Sequence, residues 1–358
     1  MVPVCNSSIQ NSIENSKSVF YFDVLRVLAM IAVILNHSFG YFSYDMFEKY
    51  FGTKIYYVDC ILNSFTRFDV PIFFMISGGL ILSNKKCTNT TYIVRHVKKL
   101  FIPLVLWTFI YSLINSRLQF VLFARNIAGS VFHAMLFAGH LWYLYTAILL
   151  YFLTPIIKYA IDNNPKYTFF LILFIVLFYN FFEPLISVFV NIPKFSSYMR
   201  IDILSGYLLY YVLGYYLSNY TIKISNKSLI FVMTFCVFLI SFLTIFLSTK
   251  RKMNISFFQD FNSIFVLFYS CSLFIFIKNI FLESNPNRIL CKLSKISFGI
   301  YLVHFLFRDL FKICIKKDLI SEFTYLILSP IFVFMCSLIF CVLVSKFKNI
   351  SKYLIGIN

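Results

Sequence analysis

The sequence predicts an all-α polytopic membrane protein with about ten transmembrane helices in a single bundle. Apolar residues make up 60% of its 358 residues and charged residues only 13%, whereas a soluble domain is about half apolar and a quarter charged. Hydrophobic runs of about 20 residues, the length that crosses a bilayer, recur along the whole chain between short polar segments. No Gly/Ser linker, internal repeat or second domain is evident in the sequence.

The hydrophobic runs define the predicted helices and three regions. Residues 1–18 are polar and predicted to be a disordered tail, 19–346 form the membrane domain, and 347–358 are a basic cytoplasmic tail. Residues 117–139 are less apolar and are predicted to lie at the interface or to re-enter the membrane. The first run is not a cleaved signal, because ionisable residues interrupt it. The helices are predicted at about 20–40, 58–83, 100–116, 140–159, 167–190, 201–220, 228–248, 258–280, 294–315 and 323–345.

The net charge of +18 lies mostly in short loops between hydrophobic runs. This pattern is typical of cytoplasmic loops that face an anionic lipid bilayer, and it disfavours nucleic acid as a partner. The loops on the same side of the membrane as the N-terminus contain more Lys and Arg than the loops on the opposite side. Both termini are therefore predicted to be cytoplasmic. The nine cysteines are scattered without C-x-x-C spacing, so neither a disulfide framework nor a metal site is predicted.

The first helix carries the strongest candidate site. Asp23, Arg26 and His37 interrupt an apolar run, and ionisable side chains in such a run usually face a bundle interior or a wet cavity. Arg26 and His37 are eleven residues apart, which places them on one face with a rise of about 16 Å between them. Asp23 is close enough to pair with Arg26 on that face. A structural ion pair and a packing histidine are an equally open interpretation.

The ninth helix carries a second polar stripe on an apolar background. Its members Ser297, Tyr301, His304 and Arg308 recur at spacings of four, three and four residues, so they share one face. If this face meets the first helix, two histidines and two arginines surround one cavity. The alternative is that these residues provide hydrogen bonds between packed helices.

Two further motifs have both a functional and a structural interpretation. The segment PIFFMISGG places Ser77, Gly78 and Gly79 together, where small residues allow close approach of a ligand or, more commonly, of another helix. The loop cluster RHVKK holds Arg95, Lys98 and Lys99, which either bind phosphate or anchor the chain at the membrane surface. Interfacial placement accounts for the two tryptophans, Trp107 and Trp142.

Taken in order, these motifs resemble the integral-membrane acyltransferase-3 family of bacterial cell-surface glycan O-acyltransferases. The similarity lies in the R-x(10)-H of DVLRVLAMIAVILNH, in PIFFMISGGLIL, in RHVKK, and in LWYL at 141–144 and YLVH at 301–304. It spans about residues 20–345. Lys98 stands where the family has the second Arg of an R-x-x-R element, and Gly79 stands where an aromatic residue is common.

The resemblance implies the activity and the roles of several residues. A member of this family transfers an acyl group, usually acetyl from acetyl-coenzyme A, to a hydroxyl of a surface polysaccharide or lipid-linked glycan at the bacterial inner membrane. His37 is then the catalytic base or the acyl acceptor, with Arg26 and Asp23 beside it. Arg95, Lys98 and Lys99 bind the donor, and no metal is implied. The substrate-pocket candidates are Ser77, Gly78, Trp142, Tyr301 and His304.

Two other function classes remain open at the level of sequence. A glycan transporter or flippase would use an intramembrane His and Arg for substrate passage, although no inverted repeat or pair of broken helices is apparent. A scaffold for glycan-assembly partners would bind substrate without turning it over. Consumption of acetyl-coenzyme A in detergent, where no gradient exists, separates an enzyme from a transporter.

Overall fold

The structure, a computed structural model, describes residues 19–116, 139–178, 206–315 and 320–356 together with positions 182 and 186. Within these residues the chain forms α-helices joined by short turns and contains no β-strand, as the sequence predicts. The helices are α1 Phe20–Gly40, α2 Phe47–Tyr50, α3 Lys54–Thr66, α4 Asp69–Ile81, α5 Thr90–Asn115, α6 Trp142–Asn163, α7 Pro165–Leu177, α8 Tyr207–Asn219, α9 Asn226–Arg251, α10 Ile264–Phe281, α11 Arg288–Cys314, α12 Glu322–Ser345 and α13 Lys348–Leu354.

Eight helical segments in the described part of the chain are long and apolar enough to cross a membrane. The predicted helices at 167–190 and 201–220 each extend into residues outside the described ranges, and their described parts are α7 and α8. The segment predicted at 117–139 to be interfacial lies outside the described ranges except for its last residue. The eight segments are Phe20–Asp45, Lys54–Ile81, Thr90–Asn115, Gly139–Asn163, Asn226–Arg251, Phe257–Phe281, Arg288–Cys314 and Glu322–Ser345.

Helix α1 lies at the centre of the bundle. It packs against α3, α4, α10, α11 and α12. In its most apolar 18-residue stretch 67% of the residues are buried, whereas the value for α9 is 28%. Helix α9 instead turns a row of phenylalanines outward, with Phe231, Phe238 and Phe242 each at least half exposed. Since lipid tails solvate such a face, α9 has the character of a peripheral helix and α1 that of a core helix.

The second predicted helix, at 58–83, is in fact two helices, α3 and α4, that meet at Arg67. The Arg67 guanidinium donates to the side-chain oxygen of Asn63 and, over 3.3 Å, to the hydroxyl of Tyr44. It also lies 5.5 Å from the ring centre of Phe261. These contacts stabilise an arginine inside the bundle, where a charge without partners is costly.

Helices α5 and α11 begin earlier than hydrophobicity alone predicts. The amide oxygen of Asn89 accepts from the backbone N–H groups of Thr91 and Tyr92, so α5 starts at Thr90 rather than near residue 100. Asn287 caps α11 in the same way. Asn is among the preferred N-cap residues because its side chain satisfies exposed backbone donors. The cluster at 95–99 is therefore helical and not a loop.

Helices α4 and α8 approach each other closely at two glycines. A Cβ at Gly78 would lie 1.7 Å from the carbonyl oxygen of Tyr211, and a Cβ at Gly214 would lie 1.9 Å from that of Met75. Small residues are the means by which membrane helices bring their backbones together. Gly78 therefore serves helix packing.

A lysine joins the end of α8 to α10. Lys278 is only 4% exposed, and its ammonium donates to the carbonyl oxygens of Leu217, Ser218 and Tyr220 over 2.6, 2.8 and 3.0 Å. The last carbonyls of a helix have no partner within the helix, and a cation there also complements the helix dipole. One side chain thus satisfies three acceptors in the interior.

The segment predicted as a basic tail contains α13, which packs back onto the bundle. The indole N–H of Trp107 donates to the carbonyl oxygen of Leu354 over 2.8 Å, and Ile355 is fully buried. Trp107 itself is 2% exposed, so its ring packs inside the protein and does not face lipid headgroups. It anchors the C-terminal segment in the core of the protein.

Candidate functional site

Arg26 is held in a fixed position by groups from two helices. Its Nη1 donates to Asp23 Oδ1 over 3.3 Å and to Ser294 Oγ of α11 over 2.9 Å. Ser294 Oγ in turn donates to Asp23 Oδ1 over 2.6 Å. The predicted pairing of Asp23 with Arg26 is therefore present. Because both contacts use Nη1, they leave Nε and Nη2 to other partners, and a guanidinium can bind a ligand with those donors.

Arg26 lines an inner cavity of about 250 Å³ between α1, α4, α5, α6 and α11. Of the predicted pocket residues, Ser77 and Tyr301 also line it, and Tyr151 contributes a hydroxyl 3.4 Å from Ser77 Oγ. The cavity thus combines one cation and several hydroxyls with an apolar wall. Its lining residues are Arg26, Phe73, Ile76, Ser77, Leu80, Ile81, Tyr92, His96, Leu100, Tyr143, Tyr151, Ser297, Phe298 and Tyr301.

Three imidazoles come together toward the other end of α1. The ring centre of His304 lies 5.3 Å from that of His37 and 5.0 Å from that of His140. Nδ1 of His304 is 2.5 Å from the carbonyl oxygen of Tyr301, and Nε2 of His140 is 3.3 Å from that of Leu302. Within the described part of the chain, Nε2 of His304 and Nδ1 of His140 are buried without a hydrogen-bond partner. Such nitrogens are rare and often mark a catalytic or ligand-dependent site.

An aromatic and cationic shell surrounds these imidazoles. Phe305 lies 4.7 Å from the ring of His37 and stacks on His140 at 4.1 Å. The guanidinium of Arg308 lies 3.7 Å from the Phe305 ring and pairs with Asp309 over 2.8 Å. His37 is half-buried in this setting. The arrangement excludes water from much of the imidazole surface.

Tyr301 connects the inner cavity to the imidazoles. Its ring lines the cavity, its hydroxyl donates to the carbonyl oxygen of His140, and its own carbonyl oxygen contacts His304. The stripe on α11 therefore does face α1. However, the expectation that two histidines and two arginines surround one cavity is wrong: Arg26 lines the cavity, while His37, His304 and Arg308 form a neighbouring cluster.

A second, basic cavity of about 810 Å³ lies beside the first turns of α5. Arg95, Lys98 and Lys99 line it from α5, and Lys352 and Tyr353 line it from α13. The same helix turns Tyr92, His96 and Leu100 toward the inner cavity. Since side chains three and four residues apart share a helix face, α5 serves the two cavities with two adjacent faces.

Two of the predicted pocket residues lie elsewhere among the described contacts. Gly78 faces the backbone of α8. Trp142 packs on the rings of Tyr207 and Phe261, with ring centres 5.0 and 6.2 Å away. In the described ranges, no three His, Cys, Asp or Glu side chains come together in a way that would hold a metal ion.

Several site residues were missed from the sequence. Ser294 lies three residues before Ser297 and continues the same stripe, so helical spacing would have found it. Tyr151 lies in α6 and His140 in the turn just before it; tertiary packing sets which way they face, and no local pattern singles them out. Lys352 lies in the segment predicted as a tail.

Comparison with known proteins assigns a family to this architecture. The family model described as an acyltransferase domain matches residues 19–346. This range includes every residue of the inner cavity and of the imidazole cluster. No curated protein and no solved structure matches the chain.

Proposed function

Because this chain belongs to the acyltransferase-3 family, we propose that it moves an acetyl or similar acyl group from acyl-coenzyme A to a hydroxyl of a surface polysaccharide or lipid-linked glycan. The observation that supports this proposal best is that the ring of His37 lies 5.3 Å from that of His304, one helical turn after Tyr301 in the wall of the cavity that contains Arg26. A base and an anion-binding group are thereby held on one rigid helix at two depths. The setting proposed is the bacterial inner membrane, with both termini cytoplasmic.

In the proposed reaction the donor is bound from the end of the bundle where α5 begins. Arg95, Lys98 and Lys99 bind its phosphates, and charge-assisted bonds to phosphate are about twice as strong as neutral ones. The acyl arm enters the inner cavity, where Arg26 holds a polar group of the donor. Asp23 and Ser294 fix the guanidinium and so reduce the entropy lost on binding.

His37 acts as the general base in the transfer step. Its imidazole takes the proton of the acceptor hydroxyl while the hydroxyl oxygen attacks the thioester carbonyl carbon. The carbon–sulfur bond then breaks, and the thiolate of coenzyme A leaves and is protonated by the imidazolium. A new oxygen–carbon ester bond replaces the thioester. The proton taken from the hydroxyl ends on the thiol of coenzyme A, and the imidazole of His37 is neutral again.

His304 positions His37 within the imidazole cluster. Its Nδ1 is engaged by the carbonyl oxygen of Tyr301, so Nε2 is the nitrogen that remains for a partner beside His37. An orienting group of this kind fixes the ring and tautomer of a catalytic base. The aromatic shell contributed by Phe305 keeps bulk water from competing with the acceptor hydroxyl.

The experiment that tests the function compares surface glycans from deleted cells with those from cells complemented by wild type or by His37→Ala. We expect mass spectrometry to show loss of one acetyl group on deletion, its return with wild type, and no return with an equally abundant His37→Ala. Thr234→Ala, on the exposed face of α9, is the matched control and should restore acetylation.

Two outcomes contradict the proposal. If glycan mass and amount are the same in all strains, this chain is not the acyltransferase for that glycan. If surface glycan disappears on deletion and the remaining glycan keeps its mass, the chain is a transporter or flippase. Purified protein that consumes acetyl-coenzyme A in nanodiscs, where no gradient exists, would rule out the second outcome.

A further inference from the structure

The C-terminal helix α13 forms a wall of the basic cavity. Its position is fixed at three points: Trp107 donates to the carbonyl oxygen of Leu354, Ile355 is fully buried, and a Cβ at Gly299 would lie only 2.6 Å from Cβ of Ile355. No larger residue at 299 would admit Ile355 at this depth. The helix is thus packed on α5 and α11, and these contacts hold its backbone in a fixed position beside the cavity.

The charged residues that line the basic cavity are all cations. Arg95, Lys98 and Lys99 come from α5, and Lys352 comes from α13. Within the described part of the chain none of these four forms an ion pair with a carboxylate. Cations gathered without counter-charges raise the potential of a cavity and concentrate anions there.

The cavity also offers an apolar surface and an aromatic ring. Val94, Ile102 and Pro103 line it from α5. The ring of Tyr353 is 48% exposed, and Nζ of Lys352 lies 5.7 Å from its centre. A volume of about 810 Å³ is large for a single phosphate and falls in the range of drug-sized ligands. The lining therefore suits a ligand with several phosphates and a planar group.

We infer that α13 is the second half of a nucleotide site, in which Lys352 binds phosphate and Tyr353 stacks on the adenine of the acyl donor. The inference rests on the proposed function and adds to it a recognition element outside α5. Stacking of a base on an aromatic side chain strengthens binding in nucleic-acid-binding proteins by roughly fivefold or more per base. The donor is therefore held between two helices that are far apart in sequence.

The test measures binding of coenzyme A to the full-length protein in nanodiscs of phosphatidylcholine by isothermal titration calorimetry. We expect Lys352→Ala to raise the Kd about tenfold or more, because it removes a charge-assisted hydrogen bond to phosphate. Lys348→Ala is the matched control: it lies one turn earlier on the same exposed helix surface but not in the cavity, and should leave the Kd within about twofold.

Stacking is tested with two substitutions of the same ring. Tyr353→Leu should raise the Kd for coenzyme A about fivefold or more, whereas Tyr353→Phe keeps the ring and should bind as wild type does. Pantetheine, which lacks the nucleotide, serves as the control ligand. Its binding should be the same in wild type, Lys352→Ala and Tyr353→Leu.

The outcomes separate this inference from the proposed function. A wild-type Kd for coenzyme A in Lys352→Ala and Tyr353→Leu overturns the role of α13, while acetyl transfer that depends on His37 leaves the function intact. Absence of coenzyme A binding in the wild type overturns both. The anion could instead be a lipid headgroup: if phosphatidylglycerol displaces coenzyme A from wild type and Lys352→Ala changes only lipid binding, the cavity is a lipid site and the inference fails.

Discussion

The two ends of the α1–α11 pair differ in how their polar groups are satisfied. At one end, the Arg26 guanidinium has partners in Asp23 and Ser294 before any ligand arrives. At the other end, the His304 and His140 rings each keep one buried nitrogen without a partner among the described residues. The comparison indicates a division of tasks: a guanidinium with a fixed counter-charge and donors left for a ligand suits binding, whereas an imidazole with an unpartnered nitrogen suits proton transfer.

The largest expected effect separates the two ends by kinetics. His37→Ala should lower kcat by about 10²–10⁴-fold, the usual contribution of a general base, and leave the KM for the donor near its wild-type value. Arg26→Gln should instead raise the donor KM about tenfold or more, because it removes a charge-assisted contact. Release of the free thiol from acetyl-coenzyme A by protein in nanodiscs measures both parameters. The division of tasks is wrong if both variants change the same parameter.

The second prediction concerns the stability of the Arg26 end. Asp23→Asn leaves the partly buried guanidinium without its counter-charge, which should cost about 2 kcal/mol, between the values for exposed and for fully buried pairs. Thermal unfolding in detergent, followed by tryptophan fluorescence, detects the change.

Asp162→Asn is the matched control for this substitution. Asp162 is 55% exposed and pairs with Lys158 over 2.7 Å, so its loss should cost about 0–1 kcal/mol. Equal shifts in Tm for Asp23→Asn and Asp162→Asn would show that Asp23 contributes no more than a surface carboxylate does.

The smallest expected effect is at His304. His304→Phe keeps an aromatic ring beside Phe305 but removes both ring nitrogens, including the unpartnered Nε2, so kcat should fall about tenfold while KM and Tm stay near their wild-type values. His304→Gln places an amide group near the position of Nε2 and should recover part of the rate, whereas His304→Asn, which replaces only Nδ1, should not. A fall in Tm together with kcat would mean that His304 acts only in packing.

The central helix was predictable because its ionisable residues are rare and regularly spaced. The eleven-residue interval between Arg26 and His37 fixes a common face without any tertiary information, and the stripe on α11 is defined by the same periodicity. Which faces of other helices meet these two was not predictable. Tyr151 and His140 reach the site through packing, for which the sequence holds no local pattern.

The ends of helices were less predictable than their centres. Hydrophobicity placed the start of α5 near residue 100, yet the Asn89 cap allows the basic first turns to be helical. The break between α3 and α4 was also missed, although Pro71 lies in the first turn of α4, a position that Pro favours. Capping and proline signals define these boundaries better than hydropathy does.

Lys278 has a consequence for the order in which the protein assembles. The three carbonyl oxygens that it satisfies precede it by 61, 60 and 58 residues in the chain. At about 5–20 residues per second, the ribosome takes roughly 3–12 s to synthesise that interval. During this time those oxygens depend on water or on other donors. Synthesis of α10 therefore sets the earliest moment at which the end of α8 can gain the hydrogen bonds that it has in the folded protein.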